Sequence, residues 1–277
     1  MVVDFHLHSS ASDGELEPVA LLARAASHGV RALSITDHDT LGAYRWQGGA
    51  VFEAARRLGV ALTVGIEIDV TLDGREVHLL GLGLDLGARD LGAHLEAVRE
   101  ARHERARREL ALVRERLGRE ALAEADVFVP GRESLMRPHL IRPLVERGLF
   151  PSYEGGREWF HAHARTGVTV PKPTLPDAIG MVHAAGGEAV LAHPGYYWKD
   201  RFPILETLPA LRAAGLDGVE LDYPYRSSSP DLFTEADERH FAAALRAAGE
   251  ALSLRFTRGS DAHGPADFDR VYGAPPS

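Results

Sequence analysis

The 277-residue chain contains no cysteine. That excludes disulfides, zinc–thiolate sites and a thiol nucleophile, so any metal must be held by imidazole nitrogen and carboxylate oxygen. Lysine is nearly missing: Lys172 and Lys199 are the only two. No stretch approaches the roughly 20 apolar residues that span a bilayer. The opening MVVDFHLHSS is neither basic nor followed by an apolar run, so it does not read as a signal peptide. These absences predict a cytoplasmic protein with no membrane partner. Positive charge is also in deficit. A formal net charge of -9 argues against a DNA-coating surface, because such binding is led by phosphate neutralisation. Part of the acidity fits metal ligands, whose charge bound ions would offset. Oligomeric state leaves no trace in the sequence.

With 45% hydrophobic residues the chain is long enough and apolar enough for one large buried core, or for a barrel carrying an insertion. Short β-like runs alternate with amphipathic helical ones. Val2–Leu7, Ala32–Thr36, Ala61–Val70, Glu76–Leu84, Ala189–Ala192, Gly218–Leu221 and Leu254–Thr257 read as strands. Helices are expected between most of them, Pro18–His28, Tyr44–Leu58 and Glu235–Ala248 among these. Asp73-Gly74 is a hairpin turn signal that interrupts the strict β–α rhythm. Seven strands mostly followed by helices predict an α/β architecture, a closed or nearly closed barrel. Leu91 to about Leu117 reads as a long charge-rich helix whose second half, Arg102–Arg119, is expected to be a solvated face. It opens a helical insertion over residues 91–165, leaving 1–90 and 166–277 for the barrel.

Ligand-type residues sit where these strands end. His6 and His8 lie two apart at the first strand, with their side chains on one face. Asp13 follows in the loop and His38 comes just after the second strand. Glu67 lies in the third strand, His78 in its hairpin partner, and His193 ends AVLAH. Asp261 and His263 follow the last strand, again two apart. In α/β barrels that face collects catalytic groups. Nine such residues exceed the needs of one tetrahedral ion and suffice for two or three divalent ions, manganese first, with iron or zinc as alternatives. Clustered ions suit phosphoryl transfer, because they lower the pKa of a bound water and clamp the attacking and leaving oxygens. His161 and His163 form a second HxH, but inside a helix, where positions i and i+2 face different ways. They read as surface or packing residues, as do His28, His94, His103, His183 and His240.

The motifs DFHLHSSASDG, TDHDT, GIEID, VHLLG, LAHP and GSDAHG, in this order, resemble the successive signatures of the PHP (polymerase and histidinol phosphatase) family. MRPHLIRPLVERG and AAGGEAVLAHP look like the subgroup acting on nucleotide phosphates, including nucleoside 3′,5′-bisphosphates and short RNA 5′ ends. The resemblance implies a distorted (β/α)7 TIM-like barrel with a helical insertion covering the active site. It implies one metal site from His6, His8, Glu67 and Asp261, a second from bridging Glu67 with His78 and His193, and a third from Asp13, His38 and His263. Asp37 and Asp39 are expected to orient a ligand imidazole. Asp13, His38, His193 and His263 are the catalytic candidates, and Arg137, His139, Lys172 and Arg258 the substrate-binding ones. Guanidinium suits a phosphate because its fork donates two parallel hydrogen bonds. Ala262 stands where the family carries an aromatic, which predicts altered packing beneath the site. The GAPPS tail predicts a looser cover at the barrel's C-terminal edge.

The implied function is a metal-dependent phosphoesterase removing the 3′-phosphate of nucleoside 3′,5′-bisphosphates, with short RNA as a further partner. A histidinol-phosphatase-like enzyme and a non-catalytic metal-binding module are the alternatives. An amidohydrolase often needs a carboxylated lysine on a middle strand, and neither lysine lies at such a position.

Overall fold

Seven strands are laid down in chain order: β1 (Val2–Asp4), β2 (Val30–Ile35), β3 (Ala61–Leu72), β4 (Arg75–Leu82), β5 (Glu188–Leu191), β6 (Gly218–Asp222) and β7 (Arg255–Arg258). The computed structural model describes residues 1–274; the end of the GAPPS tail, and the expectation attached to it, lies outside the described residues. The strands form one sheet in the order β1-β2-β3-β4-β5-β6-β7. Neighbours are parallel except at β4, which runs antiparallel to both β3 and β5. The reversal comes from the Asp73-Gly74 turn. Both residues hold positive φ, 50° and 77°, and Leu72 pairs with Arg75. This two-residue geometry matches the strand twist and favours a glycine.

β1 and β7 form no ladder with each other among the described residues. A single parallel bridge, Leu7 to Ala262, joins the segments just beyond them. Phe5 N donates to Arg258 O at 2.8 Å and Asp261 N to His6 O at 2.9 Å. The fold is thus mixed α/β on a seven-stranded sheet whose edges are not closed by strand pairing.

The main helices are α1 (Pro18–Ser27), α2 (Ala50–Leu58), α3 (Arg89–Leu117), α4 (Pro138–Glu146), α5 (Tyr153–His163), α6 (Leu175–Ala184), α7 (Pro194–Lys199), α8 (Ile204–Ala213), α9 (Glu235–Ala251) and α10 (Pro265–Tyr272). The helix expected over Tyr44–Leu58 is broken, because Gln47, Gly48 and Gly49 take φ of 45°, 71° and 87°. The main core lies between the sheet and its helices, from Leu7 and Leu33 to Phe241 and Phe268. A separate apolar cluster gathers Leu110, Val113, Leu140, Ile141, Leu144 and Phe160 from α3, α4 and α5. No described helix is long and apolar enough to cross a membrane.

The solvated face expected for Arg102–Arg119 holds only in part: Arg107, Arg108, Glu115 and Arg116 are exposed, but the opposite side of α3 is buried. Arg102 is 2% and Glu109 1% exposed. They fall on the inward stripe of α3, with Leu95, Val98, Ala106 and Leu110, and are buried by what α3 packs against. Arg102 reaches Asp39 and Asp69, and Glu109 accepts from Arg137 Nε at 3.0 Å.

Candidate metal centre

Two backbone bridges assemble the centre. Leu7 and Ala262 are both fully buried; pairing them sets their neighbours His6, His8, Asp261 and His263 side by side. The first strand is shorter than expected, so His6 and His8 lie beyond its end and this bridge fixes their register. A second parallel bridge joins His38 to Glu67. Asp39, His193 and Asp261 hold φ of 49°, 29° and 53°. Such backbone costs of order 1–3 kcal/mol per residue and gathers at functional sites.

Glu67 is the hub. It is 1% exposed. Its Oε2 lies 3.2 Å from His6 Nε2, 3.2 Å from His8 Nε2 and 3.4 Å from His38 Nε2. Its Oε1 lies 2.9 Å from His78 Nδ1 and 3.1 Å from His193 Nε2. Asp261 Oδ1 is 3.0 Å from His8 Nε2 and 3.4 Å from His6 Nε2. Asp13 Oδ1 faces His263 Nε2 at 3.4 Å and His8 Nδ1 at 3.8 Å. All nine expected ligand residues are therefore brought together. His161 and His163, on α5, make none of these contacts.

The donors fit cations. His6 Nε2, both nitrogens of His8, and Asp13 Oδ1 are buried without a hydrogen-bond partner. Ligand bonds of roughly 2.0–2.2 Å set neighbouring donors about 3.0–3.5 Å apart around a shared ion, which is the spacing seen here. Ligand atoms of His6, His8, Glu67 and Asp261 all lie within 4.8 Å of one another, and so do those of His8, Asp13, His38 and His263.

Comparison with known proteins places this geometry. The family model for the PHP domain matches residues 4–141. The chain is 34% identical to the 3′,5′-nucleoside bisphosphate phosphatase of Chromobacterium violaceum, over 98% of this chain and 90% of that one. It is 36% identical to the 5′-3′ exoribonuclease Rnm of Escherichia coli, over 71% and 67%. A solved structure from Bifidobacterium adolescentis, described as a metal-dependent phosphoesterase, superposes with a TM-score of 0.74 at 27% identity, covering 99% of this chain and 90% of that one. The chain belongs to the PHP domain family. It is a metal-dependent phosphoesterase, a hydrolase.

Around the PHP centre, further carboxylates set the imidazoles. His6 Nδ1 lies 3.0 Å from Glu220 Oε1, and Glu220 Oε2 accepts from His193 N at 2.7 Å. Asp69 Oδ1 stands 3.2 Å from His38 Nδ1 and 3.6 Å from His78 Nε2. His263 Nδ1 is 2.8 Å from the Asp261 carbonyl, which leaves Nε2 as the free nitrogen. Such outer contacts fix the tautomer and aim of a ligand ring. The expectation that Asp37 and Asp39 orient an imidazole is corrected. Asp37 accepts from Ser9 N, Ser9 Oγ and Ser12 Oγ, shaping the loop that carries Asp13. Asp39 accepts from Asp69 N at 3.1 Å and pairs with Arg102. Residue order misleads here because the carboxylate that meets His38 Nδ1 is Asp69, not either neighbour in sequence. Tyr223, also unanticipated, donates to Asp261 Oδ2 at 2.9 Å.

Burial alone would lower the pKa of His8 and His38, but neighbouring carboxylates overcome it and push both up to about 9. His6 and His78 are likewise held well above the usual range against burial, with Glu67 the leading carboxylate. Burial would raise Glu67, yet His38, His6 and His78 hold it well below the ordinary carboxylate range. Without ions, protons on the imidazoles neutralise the carboxylates; cations would displace those protons.

The substrate-binding candidates fare differently. Arg137, half-exposed, pairs with buried Glu109 and lines a cleft of about 380 Å³ with Ile141, Tyr153 and Arg157. His139 is buried, and burial pushes its pKa down to about 3, so the ring is neutral. Its Nδ1 accepts from Met136 N at 2.9 Å, leaving the proton on Nε2. Lys172 is engaged by Glu76 and lies 3.6 Å from Asp69. Arg258 packs over Tyr272 and faces Asp222 at 3.5 Å, not the His–carboxylate cluster. Arg142 was not anticipated. It donates to Asp13 O at 2.9 Å and shares a cleft of about 250 Å³ with Arg132 and His139. Its spacing of three from His139 on α4, one helical face, was the available signal.

Proposed function

We propose that this PHP protein hydrolyses a phosphomonoester of a nucleotide, namely the 3′-phosphate of nucleoside 3′,5′-bisphosphates, with short RNA 5′ ends as a further substrate. The observation that carries the reading is Glu67, whose two oxygens are shared among five imidazoles, an arrangement for more than one cation. The ligand sets are His6, His8, Glu67 and Asp261; Glu67, His78 and His193; and Asp13, His38 and His263. They suit two or three divalent ions, manganese first and iron or zinc as alternatives. When bound, such ions polarise phosphate oxygens and lower the pKa of water.

The chain's own residues do the rest. The Asp37 hydrogen bonds and Arg142 hold the loop that presents Asp13. Asp13, His38, His193 and His263 form the catalytic edge of the cluster. The helical residues 91–165 cover it and supply Arg137, with Arg142 and the neutral His139 Nε2–H, to a second phosphate. That support, together with a bisphosphate phosphatase relative matched over 90% of its length, favours a substrate with two phosphates.

The test is side-by-side hydrolysis, read as phosphate release from adenosine 3′,5′-bisphosphate and histidinol phosphate and as mononucleotide release from a 5′-phosphorylated short RNA. The proposal expects the bisphosphate to lead in kcat/KM and Asp13→Ala to abolish release while the fold, by circular dichroism, is kept. Histidinol phosphate leading would replace the substrate; full activity in folded Asp13→Ala would overturn the assignment of the site.

A further inference from the structure

α3 sends one side chain toward the metal donors. Arg102 Nη2 is held by Asp39 Oδ2 and, at 2.9 Å, by Asp69 Oδ2. Arg102, Asp39 and Asp69 are 2%, 3% and 5% exposed. Asp39 Oδ1 also accepts the Asp69 backbone N–H at 3.1 Å, so the two carboxylates are tied side by side. Two buried carboxylates this close would separate or neutralise without a counter-charge. The counter-charge at ion-pair distance from both is Arg102; Lys172 Nζ is 3.6 Å from Asp69 alone.

The other oxygen of Asp69 does something different. Oδ1 stands 3.2 Å from His38 Nδ1 and 3.6 Å from His78 Nε2. In each ring this is the nitrogen pointing away from Glu67: His38 turns Nε2, and His78 turns Nδ1, toward that hub. One carboxylate therefore backs two imidazoles, and its aim is set from the far side by a guanidinium carried on α3.

We infer that Arg102 is a positioning residue for the metal centre. By fixing Asp69 it fixes which nitrogens of His38 and His78 face the cations, so metal loading depends on α3. The helix then does more than cover the mouth: it completes the support of the ligands. This inference rests on the reading of His38 and His78 as metal ligands.

The test is Mn²⁺ affinity and stoichiometry of the metal-stripped full-length protein, by titration calorimetry and atomic emission. The series is wild type, Arg102→Met, Arg102→Lys, Asp69→Asn and the Arg102→Met/Asp69→Asn double variant. Loss of an outer support typically weakens metal binding about 10–100-fold. Arg102→Met and Asp69→Asn should each weaken at least one ion by that factor. The double variant should be no weaker than Asp69→Asn alone, because both act through one carboxylate. Arg102→Lys should recover part of the affinity. Where Arg102→Met fails to fold, Arg102→Met/Asp39→Asn removes opposite charges together and should fold with weakened Mn²⁺ binding. Unchanged Mn²⁺ affinity in a folded Arg102 variant, or strictly additive losses, would overturn the inference and leave the metal centre standing. A wild type that binds no Mn²⁺ would overturn the metal reading itself, and this inference with it.

Discussion

Replacing Glu67 with glutamine keeps the size of the side chain, removes its charge and turns one oxygen into an amide nitrogen that cannot bind a cation. Five imidazoles stand 2.9–3.4 Å from the two oxygens, so whatever those imidazoles bind also meets this carboxylate. Even a single positive charge on the cation, held about 3.2 Å from the carboxylate, would be attracted by about 5 kcal/mol at an effective dielectric near 20. The contacts share one charge and do not add. Losing most of a single one, about 4 kcal/mol, already corresponds to about a thousandfold in an equilibrium constant. Glu67→Gln should therefore weaken Mn²⁺ binding by at least about a thousandfold, with kcat/KM for the bisphosphate falling at least as far. Metal content by atomic emission and initial-rate phosphate release, both at saturating Mn²⁺ for the wild type, measure the two quantities. A folded Glu67→Gln protein with its full metal complement and kcat/KM within tenfold of wild type would refute the role of Glu67 as hub.

Glu220→Gln keeps the volume behind His6 but removes the charge facing its Nδ1, and should cost about 10–100-fold in Mn²⁺ affinity; calorimetric titration showing no change would contradict it. pH acts in opposite directions on the two forms. Burial opposes but nearby carboxylates raise His8 and His38 from 6.5 to about 9. In the metal-free protein the stability they contribute is full below 6.5 and lost as pH rises through 9, so its Tm should fall over that window. Mn²⁺ must displace those protons, so its affinity should rise over the same window, with proton release seen as a buffer-dependent binding enthalpy; a metal-free Tm that climbs from pH 6.5 to 9 would count against this. Phe160 is fully buried in the second apolar cluster, and Phe160→Ala should destabilise it by about 3–5 kcal/mol in a urea melt. A loss under about 1 kcal/mol would show that this cluster is loosely packed.

The clustering of the nine His, Asp and Glu side chains is legible in the sequence because they are marked twice: by residue type and by position at the ends of β-like runs. His6 and His8, or Asp261 and His263, need only the two-residue period of an extended chain to share a face. The residues that support them were not legible in the same way. Glu220 reaches His6 across 214 positions, and no local pattern announces that pairing. Asp69 was within reach, since it follows Glu67 by two in GIEID and so points to the same side of β3. Arg102 was hidden by its charged neighbours, although it falls on the stripe Leu91, Leu95, Val98, Arg102, Ala106, Leu110, Val113, whose spacing of three and four is that of a buried helix face. The joining of the sheet edges has no local signature either. Strand and helix alternation predicts seven strands and the reversal at Asp73-Gly74, but only the observed register shows one bridge, Leu7 to Ala262, joining the two ends.

The most direct test of the central claim is phosphate release from adenosine 3′,5′-bisphosphate by the metal-stripped protein, before and after Mn²⁺ is returned. The account predicts negligible release without metal, and release of one phosphate per nucleotide once Mn²⁺ occupies two or three sites per chain. Equal turnover in the stripped protein, or Mn²⁺ binding with no hydrolysis of any phosphate ester, would contradict it.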